Sequence, residues 1–147
     1  MVDIKKKVRL GDFVMSNNFI GEIVGLNDSA VSIKTKTSDG IDIIVTSGWN
    51  AISRIDLTEE ILSKNGFFHN EYNDFWVYEY CDCQRNVMKQ IDVSLFYTID
   101  VHTQEKMHFV TVSPLFIDEI EGQAPIKTVD ELQSFLYSYN IDLKINA

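Results

Sequence analysis

Cys81-Asp82-Cys83 carries both cysteines of the 147-residue chain. Side chains two apart on a strand share a face, so two thiolates there could begin a metal site. His69, His102 and His108 would have to complete it. Structural zinc sites space their cysteines a little further apart and in paired knuckles, and no second pair exists. The motif therefore reads as a buried thiol-bearing strand running into a turn, and neither a metal nor a cofactor is expected. Asp92, Asp100 and His102 fall on the polar face of one alternating run. A carboxylate two residues from an imidazole can serve as a metal or acid–base pair, but the outer face of a sheet must be polar in any case. Asp118, Glu119 and Glu121, just before Gly122, read as a solvated acidic loop. No GxxxxGK[ST], GxGxxG, GxSxG or HExxH occurs, which removes the common nucleotide, serine-hydrolase and zinc-protease sites. No catalytic residue is assigned, and the chain is expected not to be an enzyme.

Aromatic residues are the most distinctive feature. Phe67, Phe68, Tyr72, Phe75, Trp76, Tyr78 and Tyr80 lie within 14 residues. If that strand has a solvent face, Trp76, Tyr78 and Tyr80 form an exposed row and a candidate interaction surface, because aromatics bring large contact area at low entropy cost. The groove of the N-terminal barrel near Phe13, Phe19 and Trp49 is the other candidate. If the strand is central and covered on both sides, the same pattern is core. The residues alone leave both readings open. Glu71, Asp74, Glu79 and Asp82 surround the row and oppose base stacking on a nucleic-acid strand.

Charge sharpens the choice of partner. The net charge is −9. Residues 1–57 hold seven basic and seven acidic side chains, whereas residues 58–147 hold six and fifteen. The second part should repel phosphate backbones, since nucleic-acid affinity comes largely from neutralising them. Lys5, Lys6, Lys7 and Arg9, with Lys34 and Lys36, are the candidate phosphate contacts. No apolar run is long enough to span a bilayer, no secretory pattern follows the basic start, and two cysteines are too few for a disulfide framework. A cytoplasmic protein without membrane attachment is expected.

The elements that must position these residues fall into two parts. Residues 1–56 read as short strands with tight turns. Ala30 to Lys36 alternates strictly, Asp39-Gly40 is a hairpin signal, and Ile41 to Val45 follows. Five short strands in about 50 residues suggest a small SH3-like β-barrel, because closure removes exposed edges. Residues 57–147 read as an acidic α+β part. Thr58 caps a short helix over 58–65 that Gly66 ends. Antiparallel strands are expected at about 75–81, 91–101 and 107–113. Thr128-Val129-Asp130-Glu131 is a capping box opening an amphipathic helix over 128–139, and Ile141 to Ile145 alternates as a last strand. The fold class is α+β, mostly β.

Arg9, Gly11 and Val14, then Leu57, Thr58, Glu59, Glu60, Leu62, Lys64, Gly66 and Phe67, then Ile126, Lys127, Val129, Leu132, Gln133 and Tyr137 make a pattern. It resembles a group of small uncharacterised bacterial and prophage-borne proteins. They share an R-x-G-N/D-x-V opening, a central L-T-E-E-x-L-x-K-x-G-F segment and a closing I-K-x-V-H-x-L-Q-N-L-Y helix. The chain departs at Ile55-Asp56, where that group often has proline, and at Asp130, where histidine is usual. The matched positions are mostly caps and core, so the resemblance implies a shared fold and no activity. The expected function is a non-catalytic protein-interaction module of a bacterial or mobile-element protein, its partner another protein. The alternatives are an acidic inhibitor of a nucleic-acid enzyme, and weak nucleic-acid binding by the N-terminal barrel.

Overall fold

The computed structural model describes residues 4–99, 106–115 and 119–147. Among the described residues there are two five-stranded antiparallel sheets and two α-helices. The first sheet comprises β1 (Phe13–Ser16), β2 (Phe19–Leu26), β3 (Ala30–Lys36), β4 (Asp42–Gly48) and β5 (Ile52–Ser53), in the order β4-β3-β2-β1-β5. A 3-10 turn, Trp49–Ala51, leads into β5. The expected strands are present, but among the described residues no pairing joins β4 to β5 and the sheet is not a closed barrel. The Asp39-Gly40 hairpin forms with a five-residue loop. Only Gly40 takes a positive φ, +81°, and Thr37 and Ile41 close the loop by backbone hydrogen bonding.

The second sheet comprises β6 (Phe68–Asn70), β7 (Phe75–Asp82), β8 (Val87–Ile99), β9 (Lys106–Pro114) and β10 (Gly122–Ile126), in the order β10-β9-β8-β7-β6. Strand β8 starts earlier than the alternation at Ile91 suggests, because its first residues pair with the end of β7 across a four-residue turn. Strands β6 and β10 were not expected. β6 is only three residues long. β10 contains Gly122 and Pro125, which an edge strand tolerates because one side of its ladder needs no donors.

Helix α1 (Glu59–Lys64) begins at Thr58, whose hydroxyl accepts from the Ile61 amide at 3.3 Å. Gly66 follows it at φ +89°. Helix α2 (Val129–Ser138) begins with Glu131 reaching back to the Thr128 amide at 3.2 Å and accepting from its hydroxyl at 3.1 Å. Asn140, at φ +56°, turns the chain out of it. The segment 141–145 is not a strand. Its alternating burial is real, but side chains hold it in place of a ladder. The Gln133 amide donates to the Leu143 carbonyl at 2.9 Å and accepts from the Ile145 amide at 2.7 Å. Asn65 does the same for Asn146 on the other side.

Two cores result. Val8, Val14, Ile23, Val31, Ile33, Trp49 and Ile52 fill the first. The second joins Ile91, Val93, Val110 and Val112 of the sheet to Leu132, Phe135 and Leu136 of α2 and to Ile141 and Ile145 of the tail. Strand β1 serves both: Val14 enters the first core, while Phe13 and Met15 on its other face pack on the second. A charged clasp reinforces this contact. Arg54 grips the Asp130 carboxylate with Nε at 3.1 Å and Nη2 at 2.8 Å, and Asp130 is 2% exposed.

Candidate functional site

Alternation along β7 places Trp76, Tyr78 and Tyr80 on the face that carries Val93, Ile91 and Lys89 of β8, their register partners. This is the inner face. All three aromatics are half-buried and pack on the second core. Trp76 lies against the His69 ring at 5.2 Å, and Tyr78 against Phe67 at 5.3 Å. Trp49, the residue of the other candidate groove, lies apart from this row. Trp49 is 8% exposed in the first core, its indole N–H donating to the Asn27 carbonyl at 2.8 Å. Burying that ring is what lets the 3-10 turn close the first core. Tyr78 and Tyr80 keep one edge free, and there they line a cleft.

That cleft, about 750 Å³ in volume, lies between the end of the β7–β8 hairpin and the C-terminal turn of α2. Tyr78 and Tyr80 form one wall, and Tyr139, Ile141 and Leu143 form the other. Tyr139 sits over Gly122, where a Cβ would come within 2.1 Å of its ring. The glycine thus sets how closely this wall approaches the sheet. Inside the cleft Lys89 is 6% exposed, donating to Glu121 at 2.8 Å and lying 3.2 Å from Asp82. The hydrogen bond to Glu121 raises the Lys89 pKa against the opposing effect of burial, and Asp82 adds to the rise. The same lysine holds the Asp82 carboxyl below its ordinary value. Burial raises the Tyr80 phenol despite nearby Lys89, so it stays a neutral donor. The cleft offers tyrosine faces and carboxylates whose single buried cation is already engaged. Asp142 and Arg85 complete its rim.

Sequence reasoning missed Lys89, Tyr139 and Asp142, and read as solvated loop the Glu121 that the structure turns onto the buried Lys89. The alternation contained one signal: Lys89, Ile91 and Val93 share a phase, which sends a lysine inward with the core residues. The rest depends on contacts between segments distant in the chain, 32 residues apart for Lys89 and Glu121.

The remaining expected site residues are dispersed. Lys5, Lys7 and Arg9 are exposed, and the Lys6 side chain lies outside the described residues. Arg9 donates to the Ser134 hydroxyl and lies 5.6 Å from the Tyr137 ring. Lys34 and Lys36 both face Asp42, at 3.8 and 3.6 Å. Cys81 and Cys83 are both exposed, not buried, because the strand ends at Asp82 and Cys83 stands in the turn. Asp92 is held by Gln90, its pKa raised by burial. His108 is buried, and burial lowers its pKa. Asp100, His102 and Asp118 lie outside the described residues. Among the described residues, no three His, Cys, Asp or Glu side chains gather as a metal site would require, and no helix is long and apolar enough to cross a membrane. Comparison with known proteins gives no matching family, curated protein or solved structure.

Proposed function

We propose that the chain is a non-catalytic protein-interaction module, and that the cleft between the β7–β8 hairpin and the end of α2 receives a basic segment of its partner. The observation that carries this reading is the lining. Tyr78, Tyr80 and Tyr139 offer faces on which an Arg or Lys side chain can lie. Asp82, Glu121 and Asp142 set three carboxylates against Lys89, already engaged by two of them, and Arg85 at the rim. The surplus of acidic residues after residue 57 extends the same attraction over the surrounding surface and speeds encounter with a basic partner. The strand order β4-β3-β2-β1-β5 with a 3-10 turn before β5 supports an SH3-like character for the first sheet, which on this reading is the scaffold. We likewise take the kinship to small bacterial and prophage-borne proteins, and a cytoplasmic setting, as parts of the proposal.

Titration calorimetry with a short Arg/Lys-rich peptide tests the docking reading. Binding should weaken with salt, because its charges are partly exposed. Tyr139→Ala and Asp142→Asn should each weaken it several-fold while leaving the unfolding midpoint within a few degrees. Equal affinity for an acidic peptide of the same length would refute the reading. An acidic inhibitor of a nucleic-acid enzyme is the second reading, favoured by the same charge surplus. It predicts competition between the chain and DNA for a basic enzyme. Nucleic-acid binding by the first sheet is disfavoured, since Lys34 and Lys36 share Asp42 and Arg9 lies on α2.

A further inference from the structure

We propose that Cys81 and Cys83 form a reversible dithiol–disulfide couple at the mouth of the cleft, with small-molecule disulfides of the glutathione type as their oxidising partner. They are the chain's only cysteines, and both are exposed. Cys81 is the second-last residue of β7 and Cys83 the first residue of the turn, so the backbone between them bends where the ladder ends. That bend folds the Cys83 thiol back onto its neighbour: its Sγ reaches the Cys81 carbonyl oxygen at 3.8 Å. Beside this contact, the Cys83 thiol raises the Cys81 pKa, with Asp82 adding to the rise. Both residues line the cleft. Their surroundings are polar and open, so a tripeptide disulfide can approach either sulfur.

The exchange balances without any other reactant. The Cys83 thiolate attacks one sulfur of the small disulfide, whose S–S bond breaks and releases one thiolate. The Cys81 thiolate then attacks the Cys83 sulfur of the mixed disulfide and displaces the second small thiol. The two protein thiols are oxidised, the small disulfide is reduced to two thiols, and the two thiol protons leave with them. The pairing is intramolecular, so the second step should outrun attack by any exposed thiol of another molecule.

The full-length protein, reduced and then incubated with oxidised glutathione, tests this. Intact-mass spectrometry should show a monomer lighter by two hydrogens, free-thiol titration should fall from two to none, and excess reduced glutathione should restore both. Cys81→Ser should instead stop at a single glutathione adduct on Cys83. Unchanged amide spectra outside the hairpin would show that the fold survives. A wild-type product carrying glutathione on one or both cysteines, a covalent dimer, or no reaction in the time a model peptide takes would each overturn the proposal. These readouts involve no peptide ligand, so their outcome is independent of the docking reading.

Discussion

Asp12 is the least compensated charged residue among those described. It is 2% exposed, its Oδ2 accepts from the Arg9 amide at 2.8 Å, and its Oδ1 has no hydrogen-bond partner. Burial raises its pKa. The Arg9 amide lowers it, Asp130 raises it further, and the Arg9 and Arg54 charges pull it down. A carboxyl whose native value lies above its unfolded value of about 3.9 destabilises the fold at neutral pH, and that penalty is relieved as pH falls through the native value. Asp12→Asn removes the penalty and keeps the acceptor oxygen. In urea unfolding it should match or exceed the wild type at pH 7, with the gap closing as pH falls towards 4. A loss of more than about 1 kcal/mol at pH 7 would show that the carboxylate stabilises the fold. Lys89 is the opposite case. Lys89→Met leaves Asp82 and Glu121 facing each other without their cation, and should cost about 1–3 kcal/mol, limited by their access to water. Gly122→Ala drives a Cβ into the Tyr139 ring and should open the cleft, which tyrosine chemical shifts would report.

The local elements were readable from sequence where a signal is local. Thr58, Gly66, Thr128 and Glu131 mark helix ends because capping needs only neighbouring atoms. The hairpin at Gly40 follows from turn chemistry in the same way. Strand β10 was hidden because pairing with β9, and not propensity, makes a strand of a segment containing Gly122 and Pro125. The segment 141–145 misled in the opposite sense. Period-2 alternation reports alternating burial, and Gln133 supplies the polar contacts that a neighbouring strand would otherwise make. Gln133→Leu should therefore free the tail, at a cost of about 1–3 kcal/mol for two unpaired backbone groups. Hydrogen exchange should then quicken at Ile145 while the β8 amides stay protected.

At the scale of the whole chain, the two sheets meet through β1, the Arg54–Asp130 clasp and the contact of Arg9 with Ser134. Arg54→Ala leaves Asp130 buried without its partner and should cost about 3–5 kcal/mol, the usual penalty for a broken buried pair. Because the clasp joins the two parts, thermal unfolding of wild type should be a single transition, which the variant either keeps at lower temperature or splits in two. The charge asymmetry on which the docking proposal rests was visible in composition alone. The cleft was not, since it needs Tyr80 beside Tyr139 and Lys89 beside Glu121, and no spacing rule connects them. The most direct test of the docking account is therefore an amide and side-chain NMR titration of the full chain with an Arg/Lys-rich peptide. The account predicts saturable shifts centred on Tyr80, Lys89, Tyr139 and Asp142, lost in Tyr139→Ala. Shifts confined to the first sheet, or no saturation, would contradict it.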